Sequence, residues 1–301
     1  MIKLGMADLC TSHPGAWLPI ISKMQDVEVV AVHDSGGVRP PGYAEEFARE
    51  HCVETVTDTL DEMVDLVDAA IVHSANWDLH LPHAVPFIEA GVPVLIDKPM
   101  VGNLRDLHEL ERLQAKYGTM VMGGSSVRYA AEVQELSALR DEMGTLGVGW
   151  AQGRGDFFNY GIHTIEMFQG FFGPGVRAVE HVGANGPMDV FRADYDSGVP
   201  VFFALGAIAN PWFISVTSSN GVFERTLTAG DNYRRLIEAW VEALKTEEPP
   251  ISLEDNLEAV RVALAAKVAR RDGTICYLED LTNEERFDGD AFAEEYAKRR
   301  Q

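Results

Sequence analysis

From residue 1 to about residue 122 the chain alternates short apolar, β-branched runs with stretches of helical period. A chain with that rhythm folds most economically into βαβ units, whose strands lie parallel because each crossover is a helix. Ile2–Leu4, Val27–His33, Ala69–His73, Pro93–Ile96 and Thr119–Met122 read as the strands. Helices are expected at about 16–24, 43–51, 60–67, 80–90 and 104–117, the last with Leu104, Leu107, Leu110 and Leu113 on one face and Gly118 as its stop. The expectation is an α/β domain over residues 1–122 built on a doubly wound parallel sheet.

Past Gly123-Gly124 the pattern changes. Helices are expected at 131–143 and 163–172, and the alternating runs 177–182, 190–195, 199–205 and 213–217 read as a mostly antiparallel open sheet with one solvated face. Helices at 232–245 and 253–270 follow, separated by Glu248-Pro249-Pro250. Residues 123–301 are therefore expected to form an α+β domain. An apolar outer face at Val201, Phe203 and Leu205 would pair subunits into a homodimer or homotetramer.

Composition excludes several partners. With 25 Lys and Arg against 47 Asp and Glu the net charge is -22, which repels nucleic acid and anionic membrane. The three cysteines, Cys10, Cys52 and Cys276, form no disulfide or metal-ligand spacing, so no metal is expected and a reducing compartment fits. The N-terminus shows no export signal, and no apolar run reaches the roughly 18 residues of a membrane span. A soluble, cytoplasmic chain is expected.

Between the first strand and the first helix stands Gly5-Met6-Ala7-Asp8-Leu9-Cys10, where a Rossmann-type site places G-x-G-x-x-G so that pyrophosphate meets bare N–H groups. Only Gly5 survives of the three glycines; Ala7 and Cys10 take the other places, and Thr11 and Ser12 offer hydroxyls. A plain strand-to-helix loop capped by Ser12 is the alternative. Asp34, ending the second strand, is placed to accept the ribose hydroxyls of adenosine and to repel a 2′-phosphate, which favours NAD, with NADP as second candidate because Arg39 is near. A turn-forming Asp before Ser35-Gly36-Gly37 is its alternative.

Lys98, in Asp97-Lys98-Pro99, leaves the carboxyl end of a parallel strand, the edge where such sheets hold ligands, and could steady a developing alkoxide. His73-Ser-Ala-Asn-Trp-Asp-Leu-His80, Asp97-Lys98-Pro99 and Asn159-Tyr160-Gly-Ile-His163-Thr-Ile-Glu166 together resemble the glucose-fructose oxidoreductase, inositol dehydrogenase and rhizopine-catabolism (Gfo/Idh/MocA) family. The resemblance implies that Ser74, Asn76, His80, Asp97 and Lys98 surround the cofactor, that Lys98 polarises the reacting oxygen, and that His163 is the general acid/base. It places Asn159 where the family has an acidic residue, makes Asn159, Tyr160 and Arg128 substrate contacts, and packs a C-terminal helix on the first domain. The stretch Val148–Ile162 is shorter than the family's.

The expected activity is hydride transfer between a nicotinamide and a secondary alcohol or ketone of a sugar, cyclitol or related polyol. Two alternatives stand beside it: non-redox glycoside cleavage with tightly held NAD, and a non-catalytic binding or regulatory protein on the same scaffold.

Overall fold

The alternating segment folds as a six-stranded sheet in which every pairing is parallel. This computed structural model describes residues 1–206, 211–228 and 230–299. Along the chain come β1 (Ile2–Ala7), α1 (His13–Ile21), β2 (Val27–His33), α2 (Tyr43–His51), β3 (Thr55–Val56), α3 (Leu60–Val64), β4 (Ala69–Val72), α4 (His80–Glu89), β5 (Val94–Asp97), α5 (Leu104–Tyr117) and β6 (Val121–Gly124). The sheet order β3-β2-β1-β4-β5-β6 reverses direction between β1 and β4, which opens a crevice at the carboxyl ends of those strands. β4 and β5 are buried along their whole length, as expected for strands covered on both faces. All four leucines of α5 are buried; Asn103 caps its start through the Asp106 N–H, and Gly118, with φ of 71°, ends it.

One boundary shifts with consequence. β1 continues through Gly5 to Ala7, because Gly5 pairs with Ala31 and Ala70 and Ala7 pairs with His33 and Val72. Gly5 is therefore a mid-strand glycine and not the loop glycine the sequence suggests. A side chain there would run into Met63 and Val67, so its smallness serves the seating of α3.

The described residues group into two compact units: those within 1–124, 237–253 and 288–299, and those within 125–236 and 254–287. The second unit carries α6 (Ala131–Ala138), β7 (Leu146–Gln152), α7 (Gly161–Phe172), β8 (Val176–Asn185), β9 (Met188–Tyr195), β10 (Pro200–Gly206), β11 (Phe213–Ser218) and β12 (Gly221–Thr226). After α8 (Asn232–Thr246) and α9 (Leu253–Asp272) come β13 (Cys276–Tyr277) and α10 (Gly289–Lys298). Its sheet runs β12-β11-β7-β10-β9-β8-β13, antiparallel except between β7 and β10. β7 escapes sequence reading because Gly147 and Gly149 interrupt its pattern; Gly149 is there because the Phe172 ring and Val201 fill the space a side chain would need.

α7 covers one face of this sheet, with Phe168 5.3 Å from Phe203 between ring centroids. Val201, Phe203 and Leu205 are thus core residues, at most 2% exposed, and not an outer subunit-pairing face. The opposite face carries half-buried Trp150, Phe202 and Phe213. Beyond Leu253, the Ala-rich α9 belongs to the second unit, anchored by Glu258, whose carboxylate accepts from the N–H groups of Gly175 and Val176 and from Gln169. It is α10 that groups with the first unit. Among the described residues no helix is long and apolar enough to cross a membrane.

Candidate functional site

With no glycine in it, the β1–α1 loop is shaped by side chains. Asp8 makes the turn at φ 65°, a left-handed conformation that Asp tolerates better than most residues. Its carboxylate is buried, accepting from Ser35 N (2.9 Å) and Ser35 Oγ (2.6 Å) and lying 3.2 Å from His83 Nδ1. Burial alone would raise its pKa, but the bonds and charge of His83 and Ser35 hold it well below the usual carboxylate range. The Cys10 sulfur accepts from Ala75 N–H at 2.9 Å, and burial pushes the thiol up to about 12, which keeps it neutral. Arg39 donates to the carbonyls of Leu9 (3.3 Å) and Thr11 (3.1 Å) and lies over the Tyr43 ring. Thr11 Oγ1 accepts from His13 N–H at 3.2 Å, and Ser12 offers no side-chain cap to α1.

Asp34 stands at the end of β2, half-buried, with Oδ1 accepting from Leu9 N–H at 3.1 Å. Burial raises its pKa, and the nearby Asp8 charge adds to the rise. A cavity of about 400 Å³ opens at the carboxyl ends of β1, β2 and β4, bounded by Cys10, by the Gly36–Val38 loop, and by Ser74, Asn76 and Leu79. Asn76 Oδ1 accepts from Asp78 N–H (3.0 Å), while Ser74 Oγ accepts from Asn76 N–H (3.1 Å), so the turn after β4 is rigid before any ligand arrives.

Two residues expected at the cofactor, His80 and Asp97, make internal contacts. His80 is fully buried and its ring spans from the Ser74 carbonyl (2.9 Å) to the Pro99 carbonyl (2.8 Å), tying the β4 loop to the turn after β5. Burial favours its neutral form. Asp97, 2% exposed, lies 2.5 Å from His13 Nδ1 and 3.5 Å from His73 Nδ1. Burial would raise its pKa, but the two imidazoles hold it well below the usual range. Their carboxylate fixes the strand end from which Lys98, only half-buried, departs into the Lys98–Pro99 turn.

In the second unit His163 is 7% exposed near the start of α7, with Nδ1 2.6 Å from Ser125 Oγ and the ring edge-on to Trp212 at 5.4 Å. Glu166, one turn on, accepts from Ser125 N–H (2.8 Å) and from Arg128 Nε (3.1 Å), and Arg128 also donates to Gln169 (3.2 Å). Arg128 is 6% exposed, and its guanidinium is engaged in this network. Asp156 Oδ1 accepts from the N–H groups of Phe158 and Tyr160, which shapes the turn presenting half-buried Asn159 and exposed Tyr160. Arg154 lies over Trp212, a contact that sequence alone does not announce.

Ser125, Trp212, His13 and His73 were missed in the sequence because each acts through a partner distant along the chain. His13 was findable as a ligand-type residue at the start of a helix facing the strand ends.

Residues 12–125 match the model of an oxidoreductase family with an NAD-binding Rossmann fold, Gfo/Idh/MocA. Over 132 residues, 43% of this chain and 39% of the relative, the chain is 27% identical to the scyllo-inositol 2-dehydrogenase (NADP(+)) of Bacillus subtilis strain 168. The curated relatives it matches are covered over only 38% to 42% of their own length. Among solved structures, a probable dehydrogenase from Thermotoga maritima superposes with TM-score 0.82 at 18% identity, covering 93% of this chain and 100% of that one. The scyllo-inositol dehydrogenase of Lactobacillus casei with bound NAD(H) and scyllo-inositol gives TM-score 0.80 at 16% identity, covering 93% and 100%. At these identities the structural likeness speaks for the fold. The residues fit a dinucleotide at its adenosine end, since the crevice, the Asp34 acceptor and the cavity lie on one sheet edge.

Proposed function

We propose that the chain, whose residues 12–125 match the Gfo/Idh/MocA oxidoreductase model with its NAD-binding Rossmann fold, is a member of that family and a dehydrogenase or reductase for a secondary alcohol or ketone of a sugar, cyclitol or related polyol. The observation that carries the reading is the position of Lys98. Its half-buried side chain leaves β5 on the same sheet edge as Asp34 and the cavity, from a strand end fixed by Asp97, His13 and His73.

In this reading Asp34 holds the adenosine ribose, and Ser74, Asn76 and the N–H groups of the β1–α1 loop hold the rest of the nucleotide. Bound NAD supplies the acceptor or donor of the hydride. The Lys98 ammonium donates to the substrate oxygen, lowering the pKa of the alcohol and steadying the alkoxide. His163, steered by Ser125, exchanges the hydroxyl proton. Asn159 and Tyr160 supply polar contacts to hydroxyl groups of the substrate. NAD is preferred to NADP because Asp34 is acidic and Arg39 is engaged with the loop carbonyls.

The protein works as a homodimer or homotetramer through the sheet face of Trp150, Phe202 and Phe213, in a reducing cytoplasm that suits its free cysteines. A cyclitol and sugar screen that follows NADH formation tests the activity. Turnover that drops at least about a hundredfold in Lys98→Ala and in His163→Ala supports it. Product formed without net consumption of NAD would instead favour a cofactor-retaining, non-redox reaction.

A further inference from the structure

The crevice of the first unit has a wall that the sequence reading did not foresee. α10 contributes Asp290, Ala293 and Glu294 to the lining of the cavity at the ends of β1, β2 and β4. It is fastened there at three points. Gly289 N–H donates to Asp78 Oδ2 at 2.9 Å, Asn76 Nδ2 donates to Asp290 Oδ1 at 2.7 Å, and the Phe292 ring stands 4.8 Å from that of Trp77. Gly289 is buried against the β4 loop so closely that any side chain there would collide with Asn76 Oδ1. Asp288 caps the helix through the Ala291 N–H at 2.9 Å.

We propose that α10 is the outer wall of the adenosine pocket and that Asp290 and Glu294 select an unphosphorylated ribose, making them specificity-determining residues for NAD against NADP. The inference rests on the dinucleotide reading above. These two carboxylates are the only charged groups among the described residues lining the cavity. The nearest arginine in the chain's own β2 loop, Arg39, is turned to the carbonyls of Leu9 and Thr11 and to the Tyr43 ring. A 2′-phosphate entering here would meet negative charge on the α10 side and on the Asp34 side, whereas hydroxyl and amino groups of an unphosphorylated adenosine can donate to those same oxygens. The fold does not decide the question, because one relative is named for NADP(+) and a structural neighbour was crystallised with NAD(H).

The test is a pair of fluorescence titrations, with NADH and NADPH, on the full chain and on two variants: Asp290→Asn with Glu294→Gln together, and Glu294→Lys. Both positions are exposed and the amide replacements keep shape, so melting temperatures should stay close to the parent's. The parent should favour NADH. In the double variant the NADPH-to-NADH ratio of dissociation constants should narrow by about tenfold or more, mainly through tighter NADPH, and Glu294→Lys should narrow it further. A purely structural role would weaken both nucleotides alike and leave the ratio unmoved. An unchanged ratio in variants that still bind NADH overturns the inference while leaving the function intact. A parent that binds neither nucleotide removes the dinucleotide reading, and the assignment of this wall with it.

Discussion

The hydroxyl oxygen of Ser125 stands 2.6 Å from Nδ1 of His163, and this contact commits one imidazole nitrogen to the protein. Ser125 is itself held twice, by Val127 N–H donating to its Oγ at 3.0 Å and by its own N–H donating to Glu166, which Arg128 pins in turn. The ring orientation is therefore set by a buried chain of polar groups. Ser125→Ala should lower kcat about 10- to 100-fold with a smaller effect on KM, because the ring loses its orientation while substrate contacts persist. Ser125→Thr, which keeps the hydroxyl, should recover part of the loss. Steady-state kinetics on the three proteins decide it, and an equal fall in Ser125→Thr and Ser125→Ala would count against the hydroxyl.

Acid should weaken the first unit through its buried histidines. Burial lowers the pKa of His73 and of His80 in the folded state, while the unfolded chain keeps the ordinary value of about 6.5. Below that value the unfolded state binds more protons, so stability is complete above pH ~6.5 and falls as the pH drops toward the folded pKa values. Each histidine contributes at most about 1.4 kcal/mol per pH unit. Thermal melts between pH 8 and 5 should show the decline, and His80→Asn should have a flatter profile over that range. A melting temperature level down to pH 5 would contradict it.

The two faces of the second sheet should respond differently to substitution. Phe203 is fully buried between Phe168 and Phe191, each at 5.3 Å between ring centroids, so Phe203→Ala should cost about 3–5 kcal/mol in stability. Phe202→Glu lies on the opposite, half-buried face and should leave folding nearly intact while dissociating the proposed oligomer. Denaturant melts paired with light scattering separate these outcomes; the reverse pattern would restore the outer-face assignment of Phe203.

The parallel sheet was legible because its strands are buried on both faces and its helices keep a clean apolar stripe; Val27–His33, Tyr43–His51 and Leu104–Tyr117 appear at their expected limits. Short or glycine-broken strands such as Thr55–Val56 and Leu146–Gln152 were hidden, since pairing and not local pattern makes them strands. Alternation in 199–205 revealed a strand but not which side would be covered, because that depends on where α7 packs. The site followed the same division. Lys98 and Asp34 could be placed from their strand ends, whereas His80, Asp97 and Arg128 gave no sign in sequence of the internal contacts they make. Their burial is set by His13, Ser74, Glu166 and Pro99, none of which announces the pairing.

The central claim is that this first unit binds NAD in spite of a phosphate loop without glycine. Titrating the purified protein with NADH, with nucleotide fluorescence as the signal and Asp34→Ala in parallel, tests it most directly. The account predicts saturable binding by the parent and an affinity about 10- to 100-fold weaker in Asp34→Ala, the loss of charge-assisted hydrogen bonds to the ribose. Absence of saturable binding of NADH or NADPH by the parent, with no nucleotide carried through purification, would contradict it and return the scaffold to a role without a dinucleotide.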